Sequence, residues 1–249
     1  MLSNNVTVDK ILKGKISIIQ LKKGFRYGFD AVFLAAFVNG YLKKLKKKKF
    51  LLADVGSGVG TISLIIAYIN EEINITAIEN NDSYLEIANE NIIINNFQKK
   101  INAIKADILN INSHLINSFD IVVTNPPFYN QQQKKSLNEL DNYAKRIINY
   151  ESWIENSVNL LKDKGVIFLI IPTGLLERSL KSLCTKTGSF KIFPIWPNQK
   201  KPSKRLILLA KKGGASPIEL MSGIRLLNNQ GKVTKKARTY SDNGIFNFL

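Results

Sequence analysis

The sequence has very few of the residues that bind metals or form covalent cross-links. It contains a single cysteine, Cys184, and a single histidine, His114, in 249 residues. One cysteine excludes an intramolecular disulfide, and the two residues leave no His/Cys cluster with the spacing of a zinc site. A serine–histidine hydrolase is also disfavoured, because His114 lies in a polar stretch and the sequence has no Gly-x-Ser-x-Gly turn. We therefore expect no metal partner, and we expect His114 to lie on the surface.

Long apolar segments are absent as well. No apolar run approaches the roughly 20 residues that a membrane-spanning helix needs. The sequence begins Met1-Leu2-Ser3-Asn4-Asn5, which lacks the charged and then apolar pattern of a signal peptide. With 45% hydrophobic residues, the chain can bury a large core. We expect a cytoplasmic protein with no membrane partner, no internal repeat and no second core.

Positive charge is the strongest bias in the composition. Lysine and arginine number 36 against 19 acidic residues, which gives a formal net charge of +17. Such a surplus raises the potential around any cleft that receives a polyanion, so nucleic acid is the expected partner. The densest cluster, residues 43–49, is more typical of a solvated linker than of a specific site. A codon bias toward lysine and asparagine is a second explanation for part of the surplus.

Apolar runs alternate with glycine and polar turns along most of the chain. The pattern predicts strands at 50–55, 73–79, 101–105, 121–124, 165–171, 190–195 and 205–210. It predicts helices at 30–37, 61–69, 82–96, 152–161 and 175–183, the first of them ended by Asn39-Gly40. This alternation indicates an α/β fold whose parallel sheet is covered on both faces. The last two strands, joined by a short Lys/Pro turn, predict an antiparallel end to the sheet.

A glycine loop follows the first of these strands. Its sequence is Gly56-Ser57-Gly58-Val59-Gly60, which lets a cofactor approach the backbone without obstruction by side chains. The spacing differs from the Gly-x-Gly-x-x-Gly of dinucleotide-binding proteins. Asp54 precedes the loop and suits the ammonium group of a methionine moiety, directly or through water, better than it suits a pyrophosphate. A purely structural turn is the alternative.

Acidic residues end the next two predicted strands. Glu79 lies roughly 20 residues beyond the glycines, where an acid that binds a ribose is expected. Asp107 can accept a hydrogen bond from an adenine amino group, and Ile108 can cover the ring. Because ligands of doubly wound sheets bind at the carboxyl ends of the strands, these features together favour S-adenosylmethionine as the cofactor. Each acid is also compatible with a role as a helix cap.

The tetrapeptide Asn125-Pro126-Pro127-Phe128 follows the strand predicted at 121–124. An Asn side-chain oxygen and a backbone carbonyl can each accept one hydrogen of an exocyclic amino group, which directs the nitrogen lone pair outward. The two prolines stiffen the loop, and Phe128 can stack on a flat base. The motif therefore predicts methyl transfer to an amino nitrogen, with a strand-terminating turn as the alternative.

Taken in order, these motifs resemble those of class I S-adenosylmethionine-dependent methyltransferases that modify amino nitrogens. Within that class the chain resembles the bacterial tRNA(Val) adenine N6-methyltransferase family, which acts on the adenine immediately 3′ of the anticodon. The resemblance rests on residues 24–36, 53–60, 77–79, 106–108 and 125–129 and extends over nearly the whole chain. Residues 24–36 distinguish this family from related methyltransferases, because the other motifs are shared by several of those enzymes.

The resemblance implies a Rossmann-like fold, a set of site residues and a partner. The fold is a mostly parallel seven-stranded sheet with an antiparallel end and helices on both faces. Residues 1–249 form one methyltransferase domain, with 1–49 as an N-terminal cap segment and lysine-rich connector and 50–249 as the core. The partner is tRNA, and the cofactor is S-adenosylmethionine. The cofactor-binding residues are Asp54, Gly56, Ser57, Gly58, Gly60, Glu79, Asp107, Ile108 and Asn125, and the residues that hold the target base are Asn125, Pro126, Pro127 and Phe128.

Two segments leave the details open. In the resemblance, the stretch around Arg26 and Tyr27 precedes a helix that covers the cofactor, so Asp30 is expected to help close the pocket. A core-packing role for Phe29, Phe33 and Phe37 is the competing expectation. Residues 129–135 depart from the family pattern, which leaves the substrate less defined than the reaction.

Three alternative functions also fit the sequence. Glutamine methylation of a release factor uses the same chemistry, but those enzymes usually carry an N-terminal helical domain for which we expect no room here. Guanine N2 methylation of ribosomal RNA also fits the motifs. RNA binding without catalysis is the alternative from outside the enzymes, and the presence of Asn125 and the glycine loop argues against it.

Overall fold

The computed structural model describes residues 5–22, 26, 28–45, 49–127 and 150–246 of the chain. The strands are β1 (Val6–Ile11), β2 (Ile16–Leu21), β3 (Phe50–Val55), β4 (Ile73–Glu79), β5 (Ile101–Lys105), β6 (Phe119–Thr124), β7 (Leu161–Pro172), β8 (Thr187–Trp196), β9 (Arg205–Lys212), β10 (Glu219–Leu220) and β11 (Ile224–Arg225). The α-helices are α1 (Phe29–Lys44), α2 (Thr61–Ile69), α3 (Asp82–Ile94), α4 (Tyr150–Asn159), α5 (Leu176–Leu183) and α6 (Lys235–Asn243).

A large, mostly parallel sheet forms the centre of the fold. Its strands lie in the order β8-β9-β7-β6-β3-β4-β5, and the short strands β10 and β11 both pair with the outer side of β8. Strand β9 is antiparallel to its neighbours β7 and β8, while the other pairs are parallel. This arrangement confirms the predicted α/β fold with an antiparallel end.

The strand order reverses between β3 and β6. From β3 the chain crosses to β4 and β5 on one side, and β6 then returns to the other side of β3. In the register of this pair, Val55 lies beside Thr124. Ligands of doubly wound sheets bind in the crevice at such a reversal, so the loops after β3 and β6 are placed together by topology.

The N-terminal segment forms a hairpin that the sequence pattern did not predict. Strands β1 and β2 pair antiparallel in a separate two-stranded sheet. The hairpin is held by side chains from elsewhere in the chain: Asn91 bonds both the N–H and the carbonyl of Ile19, and Asn95 does the same for Ser17. Such long-range amide bonds leave no local signal in the sequence. The short strands β10 and β11 and helix α6 were also not predicted.

Helix α1 continues past Asn39-Gly40, so the predicted end at that pair is wrong. Asn39 is fully buried, and its side chain donates to the carbonyl of Gly244 at 2.7 Å and accepts from Asn70 at 2.7 Å. Because tertiary partners satisfy this amide, it does not compete with the helix backbone as an exposed Asn would. The helix ends at Lys44, within the cluster at 43–49, of which residues 46–48 lie outside the described part of the chain.

Two apolar clusters cover the faces of the sheet. One cluster contains α1, α2 and the hairpin together with one side of the strands, and the other contains α4 and α5. Phe33 and Phe37 are 2% and 1% exposed and pack in the first cluster, which confirms the predicted core-packing role for these two residues. Phe29, one turn earlier, is 62% exposed, so that expectation is wrong for Phe29. Position 29 is the first residue of α1, and the buried positions of the helix begin only at Ala31.

Candidate cofactor and substrate site

The glycine loop after β3 has a backbone that suits glycine. Gly56, Gly58 and Gly60 have φ angles of +70°, +55° and +84°, in the left-handed region that L side chains rarely adopt. Gly60 is also the residue that precedes α2. A Cβ at position 56 would lie 2.8 Å from the ring of Trp153, whereas a Cβ at position 58 has no described atom within 4 Å. Gly56 therefore packs against protein, while Gly58 faces open space.

Asp54 lies at the end of β3, fully buried, just before this loop. Its Oδ2 accepts hydrogen bonds from the backbone N–H of Ser63 at 3.1 Å and from the Ser63 hydroxyl at 2.7 Å. Burial and, to a smaller extent, the nearby Glu79 raise the pKa of Asp54 to about 7, against the opposing effect of the Ser63 hydrogen bonds. Asp54 therefore caps the first turn of α2 with one oxygen and keeps the other, Oδ1, for a further partner.

Glu79, at the end of β4, supports the glycine loop. Its Oε2 accepts from the N–H of Gly58 at 2.8 Å, and its Oε1 accepts from the N–H of Asn81 at 2.8 Å. Each carboxylate oxygen can accept more than one hydrogen bond, so these contacts leave room for ligand hydroxyls. The position matches the edge where a ribose-binding acid is expected, and that role stays a prediction.

Asp107 and Ile108 follow β5 and begin a short 3₁₀ helix. Asp107 caps this helix by accepting from the N–H of Leu109 at 2.9 Å, so the capping alternative is present in the structure. Ile108 is 2% exposed and packs in the apolar cluster beneath α4. A side chain this buried has little surface with which to cover a ring. The assignment of both residues to an adenine ring stays a prediction.

Asn125 begins the loop after β6, beside the end of β3. Pro126 is buried and Pro127 is half-buried, so the prolines hold the loop against the sheet. Asn125 is half-buried as a residue, but its Oδ1 is buried and has no hydrogen-bond partner among the described residues. Phe128 lies outside the described residues, as does the segment that follows it to residue 149.

Unpaired buried oxygens mark this crevice. Among the described residues, the buried side-chain oxygen and nitrogen atoms without a hydrogen-bond partner are Asp54 Oδ1, Ser57 Oγ, Thr61 Oγ1 and Asn125 Oδ1. They lie at the end of β3, on the glycine loop, in the first turn of α2 and on the loop after β6, next to the point where strand order reverses. Buried polar atoms are paired in most proteins, because leaving one unpaired costs about 1–3 kcal/mol. Their position at the same ends of the strands indicates a polar ligand that forms hydrogen bonds with them.

Trp153 is a site residue that sequence reasoning missed. Its Nε1 donates to the Thr124 hydroxyl at 3.0 Å, and that hydroxyl donates to the carbonyl of Val55 at 2.9 Å. Together with the packing of the Trp153 ring on Gly56, these bonds tie α4 to the ends of both β3 and β6. No local pattern connects these positions, because they lie far apart in the chain. The only local signal is a tryptophan next to the apolar positions Tyr150, Ile154 and Val158 of this helix.

Asn91 of α3 is a second residue that was missed. Its side-chain amide donates to the carbonyl of Val59 in the glycine loop at 2.9 Å and to the carbonyl of Ile19 in the hairpin at 2.9 Å. Its oxygen accepts from the N–H of Ile19 at 2.7 Å. One buried amide thus joins the N-terminal hairpin to the cofactor loop.

The N-terminal residues expected to close the pocket are held by ion pairs. Arg26 pairs with Asp9 at 2.8 Å on the hairpin, and Asp30 pairs with Arg205 at 2.8 Å at the start of β9. Asp30 therefore faces the β8–β9 end of the sheet. Tyr27 lies outside the described residues.

Neither a metal cluster nor a membrane-spanning helix occurs in the described part of the chain. No group of three or more His, Cys, Asp or Glu residues there is placed to hold a metal ion. None of the helices described above is both long and apolar enough to cross a bilayer.

Curated relatives carry one recurring name. A protein of Flavobacteriaceae bacterium (strain 3519-10) named tRNA1(Val) (adenine(37)-N6)-methyltransferase is 27% identical over 196 residues, which cover 78% of this chain and 80% of the relative. A protein of Bacteroides thetaiotaomicron with the same name is 24% identical over 225 residues, which cover 88% of this chain and 84% of the relative. Both matches span most of each protein.

Solved structures share the fold. A protein from Agrobacterium tumefaciens, described as a predicted O-methyltransferase, matches with a TM-score of 0.71 and 19% identity over 88% of this chain and 98% of its own. The T. thermophilus 16S rRNA N2 G1207 methyltransferase, solved with AdoMet and guanosine, matches with a TM-score of 0.58 and 18% identity over 83% of this chain and 50% of its own. A family model for the methyltransferase small domain matches residues 38–192. Because this match spans more than half of its length and covers the whole crevice between β3 and β6, the chain belongs to the methyltransferase small domain family.

Proposed function

We propose that this protein transfers a methyl group from S-adenosylmethionine to the N6 amino group of an adenine in tRNA(Val), next to the anticodon. The observation that carries the proposal is the buried, unpaired Oδ1 of Asn125, on the loop beside the glycine loop. An acceptor that has no partner among the described residues suits an incoming amino group. The shared name of the curated relatives supports adenine as the base and tRNA(Val) as the RNA.

The chain's own residues suit this cofactor. The left-handed backbone at Gly58 leaves space beside the loop, so a ligand can lie against it. Asp54 Oδ1 suits the cofactor's ammonium group, and Glu79 suits its ribose hydroxyls. Gly56, Ser57 and Gly60 shape the loop, and Ser57 also offers an unpaired hydroxyl. Asp107, Ile108 and Asn125 complete the proposed cofactor site.

The proposed chemistry is a direct displacement in line with the donor. Bound S-adenosylmethionine supplies a methyl group on a positively charged sulfur, which is already a good leaving group. Asn125 Oδ1 and the carbonyl of Pro126 accept the two amino hydrogens and aim the nitrogen lone pair. Pro126 and Pro127 fix this pair of acceptors, and Phe128 stacks on the base. The target base must leave its stack to reach them, which costs little in an anticodon loop.

No dedicated base is needed for the last proton. A newly methylated amino group on an aromatic ring is strongly acidic while it carries the positive charge, so it loses its proton to water. The protein's contribution is alignment of the two reactants and restriction of water. Metal plays no part in this scheme.

The wider organisation is proposed on the same basis. We take residues 1–249 as one methyltransferase domain, in which 1–49 serve as the N-terminal cap segment and 50–249 form the Rossmann-like core. The bonds from Asn91 to the hairpin and to the cofactor loop support a functional connection between the two parts. A tRNA substrate also supports a cytoplasmic location for the enzyme.

The deciding experiment is methylation of unmodified tRNA(Val) by the purified protein, followed by mass spectrometry of the nucleosides. We expect N6-methyladenosine at the adenine next to the anticodon, and none in a transcript with guanine at that position. N2-methylguanosine in ribosomal RNA, methylglutamine in a release factor, or tight tRNA binding without methyl transfer would each contradict the proposal and identify the alternative that applies.

A further inference from the structure

A second concave surface lies at the β8–β9 end of the sheet, separate from the crevice between β3 and β6. It is a cavity of about 290 Å³ at the start of α1. Its floor is apolar, formed by Phe33, Ile195 and Leu226, and its wall includes the exposed ring of Phe29. Lys204 and Arg205 lie at its rim. The proposed chemistry uses none of these residues.

The sheet places this cavity on the same side as the proposed active site. Asn125 follows β6, and β7 separates β6 from β9. Arg205 at the start of β9 pairs with Pro172 at the end of β7, and also with Ile195 near the end of β8. Strands lie about 4.8 Å apart, so Arg205 is roughly 10 Å across the sheet from the strand that carries Asn125. A few nucleotides of one RNA strand span that separation, because stacked nucleotides rise about 3.4 Å each.

The cavity combines an aromatic face with cations. Phe29 is 62% exposed, and its ring is supported from below by Phe33, with the two ring centroids 6.2 Å apart. An exposed ring held in this way is a platform for stacking. Arg205 is oriented by its ion pair with Asp30. Lys204 is exposed, and its ammonium group has no ion-pair partner within the residues that the structure describes.

The turn before β9 adds further positive charge. Lys200 and Lys201 are exposed, and neither forms an ion pair with another described residue. A net charge of +17 attracts polyanions to the protein as a whole, and this turn concentrates cations next to an apolar, aromatic cavity. Aromatic stacking combined with cations that contact phosphates is the chemistry by which proteins hold single-stranded nucleic acid.

We propose that this cavity, which we call the Phe29 cavity, binds a nucleotide of the substrate RNA that flanks the methylated one. The flanking base stacks on Phe29 above the apolar floor, and its phosphate lies against Lys204 and the following Arg205. The inference rests on the proposed function, because it assumes that the RNA's target base occupies the crevice at Asn125. It assigns Phe29 to substrate positioning, not to the methyl transfer itself.

The test uses the full-length protein, S-adenosylmethionine and an RNA hairpin with the anticodon stem and loop of tRNA(Val). A set of such hairpins carries one abasic nucleotide at each loop position in turn. For the wild-type protein we expect one position, other than the target, at which removal of the base raises the Kd about ten-fold. Phe29→Ala is expected to raise the Kd of the intact hairpin by a similar factor and to add nothing for the hairpin abasic at that position. Cofactor affinity and turnover at saturating RNA should change little.

Tyr68→Ala is the matched aromatic control. Tyr68 is 40% exposed near the end of α2, and this helix returns toward the opposite edge of the sheet. If Tyr68→Ala lost as much RNA affinity as Phe29→Ala, the proposal would be overturned. It would also be overturned if the effect of Phe29→Ala added fully to the effect of base removal at every loop position. Normal RNA binding by Phe29→Ala would also overturn the proposal, because it would show that the cavity does not bind RNA.

Lys204→Ala tests the cationic rim, with Lys211→Ala as its control at the other end of β9. In Lys204→Ala, we expect the slope of log K against log salt for binding of the RNA hairpin to decrease by about the amount due to one phosphate contact. In Lys211→Ala, we expect the slope to stay as in the wild-type protein. Equal slopes in both variants would contradict a localised phosphate contact at the rim. Failure of the wild-type protein to methylate the hairpin at all counts against the proposed function, whereas methylation that is indifferent to Phe29 counts against this inference alone.

Discussion

Single atoms define the ligand site most sharply. The unpaired oxygens of Asp54, Ser57, Thr61 and Asn125 converge where β3 and β6 end. Asp54 also has a structural role, because its Oδ2 accepts two hydrogen bonds from Ser63. One oxygen of Asp54 therefore serves the fold while the other is kept for the ligand. A carboxylate that serves both purposes links stability to ligand binding.

Asn125→Ala should separate cofactor binding from methyl transfer. The substitution removes one acceptor from the reacting amino group and leaves the glycine loop intact. We expect turnover to fall by about two to three orders of magnitude, as when one preorganised polar group is removed from a transition state. Cofactor affinity, measured by calorimetry, should change little. Asn74→Ala, at an exposed position of β4, is the control and should keep full activity; equal losses in the two variants would contradict a specific role for Asn125.

The raised pKa of Asp54 predicts how stability depends on pH. The folded-state pKa is about 7, against 3.8 for an aspartate exposed to water, so between these values the folded protein holds a proton that the unfolded chain has lost. This contribution to stability is fully present below about pH 4 and is lost as the pH rises through about 7. Urea unfolding of the cofactor-free protein should therefore show a decline from pH 5 to pH 8 that Asp54→Asn reduces.

Cofactor binding should favour the ionised form of Asp54 over the protonated form that burial favours. A cationic ammonium group beside Oδ1 favours the ionised carboxylate, so binding near pH 6 should release a proton. Calorimetry in buffers of different ionisation enthalpy measures that release, and Asp54→Asn is expected to abolish it. Proton uptake on binding would mean that the ammonium group lies elsewhere.

Between elements, the glycine loop connects the sheet, α2 and α4. Gly56 meets the ring of Trp153, and Gly58 faces open space although both have positive φ. Through Thr124, the same tryptophan reaches the strand that delivers Asn125. Helix α4 is thus a common support for the two loops that the proposed reactants contact. The hairpin has a comparable contact with the glycine loop through Asn91.

The two glycines predict different defects when each is replaced by alanine. Both substitutions force a side chain into a left-handed backbone, which costs about 1–2 kcal/mol. Gly56→Ala also drives a Cβ to 2.8 Å from Trp153, so we expect a total loss of stability of about 3 kcal/mol or more. Gly58→Ala should show the smaller loss of stability but a clear loss of cofactor affinity, because its Cβ enters the space beside the loop. Thermal unfolding and calorimetry on both variants check this contrast, and a reversed order would contradict the described loop geometry.

For the protein as a whole, charge governs the encounter with RNA. A formal charge of +17 is spread over lysines in many elements, including the turn before β9 and the end of α1. Lysines that contact phosphates add affinity without adding sequence preference. The proposed specificity therefore resides in the crevice at Asn125 and in the Phe29 cavity.

Salt should weaken tRNA binding steeply. If roughly four phosphates are neutralised, raising the salt from 50 mM to 200 mM should reduce the association constant by about a hundred-fold. Filter binding or fluorescence anisotropy across that range measures the slope, with S-adenosylmethionine affinity as the internal comparison that salt should barely affect. A flat response would show that the positive charge is incidental to RNA binding.

The linear sequence determined the central architecture, because local patterns encode it. Helix α2 and strands β4 and β5 have the predicted bounds, since their apolar runs and flanking glycine and polar residues specify them without help from distant contacts. The sequence likewise shows that the glycine loop, Glu79, Asp107 and Asn125 each come at the end of a predicted strand. The topology rule for parallel sheets then brings these strand ends to one edge.

Tertiary structure alone decided which of these groups are buried, paired or exposed. The pair Asn39-Gly40 is typical of a helix end, but Gly244 and Asn70 satisfy the buried Asn39 amide and the helix continues. The N-terminal hairpin is held in part by the side-chain amides of Asn91 in α3 and of Asn95, which follows α3. Phe29 and Phe33 have the same chemistry and helical spacing, yet only Phe33 lies over the sheet. Burial and hydrogen bonding depend on contacts between residues that lie far apart in the chain. No local pattern could therefore predict that Trp153 packs on Gly56, or that Asn125 Oδ1 has no partner among the described residues.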